Sequence, residues 1–163
     1  MEEVNEFNYL GSVMCKHGGT EGETKERALQ GRTVVGLLGC IMNGRSVSME
    51  VKRDLRNTVV VPTLTYASET WAWNESQRSR VQAVEMSYLR SAWGVSRMDG
   101  MSNEHFGMCH VGEGKKCGVV EEVKRQTLKW FGHLERMKEG RMARRVYVKI
   151  ERAPRSRHRD ELN

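Results

Sequence analysis

The sequence predicts a mainly α-helical protein: a helical bundle that opens on a short β strand or hairpin and ends in a disordered basic tail. Three observations predict it. Apolar residues recur at three- and four-residue spacing through most of the 163 residues. Capping and stop signals bracket those stretches. The one strand-like run lies near the N-terminus, before a glycine-rich turn.

That run is FNYLGSVM, Phe7 to Met14, followed by the turn signal KHGG. A helix is expected next, from Glu21 to Met42, with Thr20 and Glu23 spaced as a capping box. Ala28, Val35, Leu38 and Met42 share one of its faces, with Leu37 and Ile41 beside it, and Asn43-Gly44 ends it. Each glycine inside this helix costs up to about 1 kcal/mol against alanine, so tertiary packing must hold it. Ser48 caps a second helix from Met49 to Val60, which Pro62 is expected to break or kink. The run TLTYASETWAW then adds a helical turn or two that buries Leu64, Tyr66, Trp71 and Trp73.

Asn74 and Gln77 form another capping pair. The helix behind it, Glu75 to Trp93, places Val81, Val84, Tyr88 and Ala92 on one face, and Gly94 stops it. A short helix is expected around Asn103 to Met108. From Lys115 to Met137 a stripe of Val119, Val123, Trp130, Leu134 and Met137 recurs with helical period, flanked by Val120, Thr127 and Phe131. A last helix fits Met142 to Ile150. From Arg152 onward no apolar anchor remains, and disorder is expected. The segments are therefore 1–19 (strand or hairpin), 20–95 (helical domain), 96–150 (second helical region) and 151–163 (tail).

Charge separates the two ends. The 27 basic and 21 acidic residues leave a net +6. Residues 1–50 carry −2, residues 51–100 carry +2 and residues 101–163 carry +6. Between Lys124 and Arg159 there are 13 basic residues against Glu135, Glu139 and Glu151. Such a segment suits a polyanion, because arginine offers paired donors to phosphate. A solvated helix face with a soluble tail is the alternative. On a helical wheel Gln126, Lys129, His133 and Arg136 form a polar band along one edge of the apolar stripe. Gly132 falls opposite the stripe, where core packing gives no reason for it. Either another backbone approaches there, or the position is unoptimised. The candidate phosphate contacts are Arg125, Lys129, His133, Arg136, Arg141, Arg144 and Arg145, with His133 able to donate to a phosphate or a 2′-hydroxyl.

Four strings occur in order: YLGSVMCKHGGTEGETKERA (9–28), PTLTYASETWAW (62–73), VEMSYLRSAWGVSRMDGMSNE (84–104) and LKWFGHLERM (128–137). Together they resemble the C-terminal part of reverse transcriptases of non-LTR (LINE-like) retrotransposons, over about residues 7–150. The matching positions are Tyr9, Leu10 and Gly11; Tyr66, Ser68, Glu69, Thr70 and Trp71; Leu89, Arg90, Gly94, Arg97, Asp99, Asn103 and Glu104; and Leu128, Trp130, Gly132, His133, Arg136 and Met137. The resemblance implies that the YLG segment closes the palm near the primer-grip hairpin. The following helices would form a thumb against the template–primer duplex, and the W-x-G-H-x-x-R helix a post-thumb region that helps hold RNA or target DNA. Departures are Ala67 where glycine is usual, Gly100 and Ser102 near positions usually basic, and a short tail where a longer basic one is common.

The chemistry of a polymerase is missing. It needs acidic residues holding two Mg²⁺ ions. Here Asp54, Asp99 and Asp160 are the only aspartates and lie far apart. A truncated, non-catalytic reverse-transcriptase fragment is therefore expected, with no catalytic residue, no metal and no cofactor. Its expected partner is RNA or DNA, bound with weak sequence specificity. His105, Cys109, His110 and Cys117 match no common zinc spacing. Neither Cys15 with His17 nor any other Cys-His pair has a third orienting group for nucleophilic catalysis. Met and Trp at helical spacing read as core, and Glu69 reads as a local cap or ion-pair partner. Four unpaired-looking cysteines and an acidic, patchily apolar start point to an intracellular protein, nuclear or cytoplasmic and not secreted. RDEL resembles an ER-retention tetrapeptide, but that signal must be terminal to be read and Asn163 follows it. No apolar run reaches the ~20 residues of a membrane helix.

Overall fold

A computed structural model describes residues 5–16, 19–42, 44, 46–103 and 118–152. The fold is mainly α with a short N-terminal hairpin, as the sequence predicts. The order is β1 (Glu6–Tyr9), β2 (Ser12–Cys15), α1 (Glu21–Met42), α2 (Met49–Leu55), a π turn (Arg56–Val60), α3 (Val61–Leu64), a 3₁₀ turn (Ser68–Thr70), α4 (Glu75–Trp93), a second 3₁₀ turn (Arg97–Asp99), α5 (Val119–Arg136) and α6 (Met142–Arg152). The chain divides into two compact units, Met1–Thr127 and Leu128–Asn163. The expected helix at Asn103–Met108 and the tail beyond Arg152 lie largely outside the described residues.

In the first unit the strands pair antiparallel, Phe7 opposite Met14 and Tyr9 opposite Ser12. Leu10 and Gly11 both have positive φ, 50° and 79°, the geometry of a type I′ turn matched to strand twist. Two four-residue strands cannot hold a hairpin by themselves. This one is bound to α1. Gly22 lets Val13 pack close, and a Cβ there would stand 3.3 Å from Val13 Cγ1. Glu23 accepts from the Val13 amide and from Arg27 Nε, the latter at 2.8 Å. Arg27 also donates to the Gly11 carbonyl, and its guanidinium lies 4.5 Å from the centre of the Tyr66 ring. Tyr66 Oη donates to the Leu10 carbonyl at 3.0 Å.

Two sequence expectations change here. Glu23 faces the hairpin and Arg27 rather than closing a capping box with Thr20, whose hydroxyl instead lies 3.4 Å from Gln77 Oε1. Tyr66 is half exposed, not buried, because its work is done by its hydroxyl and its ring face.

The core of this unit lies where α1 and α4 pack together, with α3 and the start of α5 against them. Ala28, Met42, Val60, Leu64, Trp71, Val81, Val84, Tyr88, Leu89, Ala92, Val119 and Val123 build it. Gly31 is needed there: a Cβ would collide with Leu64 and come within 3.1 Å of Val84 Cγ1. Val35 and Leu38 are half-buried against this core, but Leu37 and Ile41 face solvent.

The helix begun at Ser48 does not break at Pro62. A π turn over Arg56–Val60 shifts the hydrogen-bond register, and Pro62 enters the first turn of α3, where its missing N–H removes no helical bond. Lys52 then ties three helices: its Nζ donates to the last-turn carbonyls Met42 O of α1, at 2.6 Å, and Ala92 O of α4, at 3.0 Å. Tyr88 donates to the Lys52 carbonyl, and burial pushes its phenol up to about 12 against the opposing pull of Arg56. Helix α4 runs from Glu75 to Trp93, between the expected Asn74–Gln77 capping box and Gly94 in the left-handed region.

Ala67 sits at φ 56°, ψ 21°, left-handed space that disfavours a Cβ. Ala67→Gly is expected to stabilise the protein by about 0.5–1 kcal/mol, the relieved strain exceeding the added entropy of the unfolded chain. A urea midpoint lower than wild type would show that this strain is not being relieved.

Candidate nucleic-acid interface

Most positions that carry the retrotransposon resemblance do architectural work in the first unit. Leu10 and Gly11 form the hairpin turn that Tyr66 and Arg27 hold, while Tyr9 faces outward with its ring 6.4 Å from that of Phe7. Ser68 is fully buried and donates to Gln126 Oε1 at 2.7 Å, which draws Gln126 out of the expected polar band. Thr70 bonds back to the Ala67 carbonyl at 3.4 Å, and Trp71 packs in the core beside Trp73. Glu69 occupies the same 3₁₀ turn and is partly buried. Arg90 is buried and donates to the carbonyls of Ser96 and Met101 and to Asn103 Oδ1, at 3.0, 2.7 and 3.1 Å. Asp99 closes a capping box with Ser96, and Gly94 and Gly100 supply left-handed turns at φ 65° and 69°. Arg90, Gly94, Asp99 and Asn103 thus shape one loop.

Glu85, like Glu23, is a buried carboxylate with two partners. It pairs with Arg56 and accepts from the Val119 amide at 3.0 Å, fixing the first turn of α5.

Of the candidate phosphate contacts, Arg125 belongs to the first unit and is paired with Glu122. The other six belong to the second unit. There Arg144 is occupied: its Nη1 lies 3.1 Å from Glu135 Oε2 and 3.3 Å from the Leu134 carbonyl, and its guanidinium is 5.6 Å from the centre of the Tyr147 ring. With Phe131 and Tyr147 in ring contact at 5.9 Å, this fastens α6 to the end of α5. Lys129, Arg136, Arg141 and Arg145 are exposed, and none pairs with a carboxylate of another described residue. His133 is exposed, with its ring 5.8 Å from that of Trp130, which is half-buried. Lys129, His133 and Arg136 follow one another at i, i+4 and i+7 along one helix face.

Gly132 lies under Arg136. A Cβ on Gly132 would stand 3.3 Å from Arg136 Nη1 and 3.6 Å from Nη2. The glycine that the apolar stripe could not explain thus has the guanidinium of a residue on its own helix lying over it.

Among the described residues no group of three or more His, Cys, Asp or Glu could hold a metal ion, and no helix is long and apolar enough to cross a membrane. His105, Cys109, His110 and Cys117 lie outside the described residues, as does His17. Burial and the Glu6 carboxylate raise the pKa of the Cys15 thiol, the direction opposite to nucleophile activation.

No family profile matches the chain. No solved structure matches it. It is 25% identical over 146 residues to an uncharacterized transposon-derived protein of Caenorhabditis elegans, a match covering 86% of this chain and 50% of that protein. The chain therefore spans about half the length of this relative. By sequence, the chain is similar to a transposon-derived protein.

Proposed function

We propose that the chain is a non-catalytic thumb and post-thumb region derived from a retrotransposon reverse transcriptase, and that it binds RNA or DNA through the basic face of its second unit. One observation carries the reading. Arg125, Lys124 and Arg144 are matched by carboxylates, whereas Lys129, Arg136, Arg141 and Arg145 face solvent with no carboxylate partner among the described residues. Unpaired exposed cations suit phosphates, which they bind by releasing counterions, largely without regard to sequence. The similarity to a transposon-derived protein supports the origin. The absence of paired aspartates from the sequence supports the lack of catalysis.

Titration of fluorescent RNA hairpin and duplex DNA at several salt concentrations tests it. Lys129→Gln with Arg136→Gln is expected to lower the magnitude of the salt slope by roughly 1.5–2, one contact each. An unchanged slope rejects the assignment.

A second reading, a helical protein-interaction module, has its own support. Leu29, Leu37 and Ile41 are exposed along α1, where an amphipathic surface would place polar groups. Nucleic-acid binding that vanishes near physiological salt would favour it.

A further inference from the structure

We propose that Gly132 is a positioning residue: by lacking a side chain it seats the Arg136 guanidinium against the helix backbone, where that cation is pre-placed for a phosphodiester group. The proposal rests on the nucleic-acid reading of this face and names the residue that sets its geometry.

Side chains on a helix lean toward its N-terminus, so a residue at i+4 covers the turn that begins at i. Arg136 covers Gly132 in this way. The Nη1, Nη2 and Cζ atoms all lie within 3.8 Å of the place a Cβ would take. A planar guanidinium can lie flat there because nothing projects from the glycine. A methyl group at 3.3 Å from Nη1 is tighter than ordinary contact, so the guanidinium would have to shift by a few tenths of an ångström from its seat. Arginine carries many rotamers, and restricting them before a ligand arrives lowers the ordering cost of binding.

The rest of the face gives the seat its use. Lys129 and His133 precede Arg136 by seven and three residues, about 10.5 and 4.5 Å along the axis. His133 leans toward Trp130, N-terminally along the helix as Arg136 leans over Gly132. Lys129 and Arg136 are thus about two turns apart on one face. No described carboxylate competes for Arg136. Glycine here costs helix stability, so a substitution that restores helix propensity while harming binding separates the two roles.

The experiment is a double-mutant cycle on the whole chain with a fluorescent RNA hairpin, using wild type, Gly132→Ala, Arg136→Gln and the double variant. Thermal unfolding is recorded for each. Gly132→Ala is expected to unfold at the same or a higher temperature yet to bind about three- to tenfold more weakly. That loss is expected to disappear when Arg136→Gln is already present. Equal or tighter binding by Gly132→Ala overturns the proposal. So does a loss that persists in the Arg136→Gln background, which would make the methyl itself the obstacle. If Arg136→Gln binds as wild type does over the salt range, the basic-face reading fails first, and the seat has no ligand to serve.

Discussion

Glu85→Ala is expected to destabilise the first unit by about 3–5 kcal/mol, the range for breaking a buried ion pair from one side. Glu85 is 3% exposed and Arg56 is 4% exposed, so neither group is rehydrated when its partner goes. The loss is also not confined to the pair. The same carboxylate accepts from the Val119 amide, and Val119 and Val123 are core residues. Removing it leaves a buried positive charge without its carboxylate and takes the acceptor from the first turn of α5. Urea unfolding followed by Trp fluorescence reads the change. Replacing both Arg56 and Glu85 with apolar residues of similar volume should cost much less than the sum of the single changes. A loss below about 1 kcal/mol for Glu85→Ala would mean that water reaches Arg56, and that α5 is held by its valines rather than by this carboxylate.

Local chemistry made much of this fold legible. Asn74, Gln77 and Gly94 delimit α4 because caps and left-handed stops act over four or five residues and need no distant partner. The four core positions expected on α4, Val81, Val84, Tyr88 and Ala92, are all buried. Pro62 signalled an irregularity in this helix but not its form, a π turn over Arg56–Val60 with the proline entering the first turn of α3. The effect of Tyr66 depends on Arg27 and Leu10, far away in sequence. Apolarity alone therefore placed it inside.

At the basic face the limit is of the same kind. Arg144 and Arg145 are indistinguishable as letters in a basic run. Only the fold brings Glu135 and Tyr147 to the first and leaves the second exposed. Gly132 was visible as an anomaly on the wheel, but its explanation required the position of the Arg136 guanidinium. The strings that carried the resemblance proved richest in buried arginine, turn geometry and core tryptophan. Positions of that kind hold a fold together and do not specify a reaction.

The other large effect belongs to Arg27. It is 5% exposed, on α1, and it joins four things at once: Glu23, Gln30, the Gly11 carbonyl and the Tyr66 ring. Arg27→Met keeps much of the apolar stem but deletes the charge. Glu23, itself 5% exposed, then keeps the Val13 amide but loses its cation, at a cost of about 3–5 kcal/mol. The damage should concentrate in the hairpin. Leu10 is held in left-handed space, and an exposed two-stranded hairpin without its anchor is marginal. Hydrogen exchange is expected to show the paired amides between Glu6 and Cys15 losing protection, while those of α4, closed by its own caps, keep it. Tyr66→Phe removes only the bond to Leu10 O and should cost about 1 kcal/mol with a smaller loss in the same amides. If Arg27→Met leaves hairpin exchange unchanged, the strands are held by Val13 on Gly22 and not by the ion pair. If instead every amide loses protection together, the hairpin is part of the same cooperative unit as the core, and Arg27 supports the whole of it.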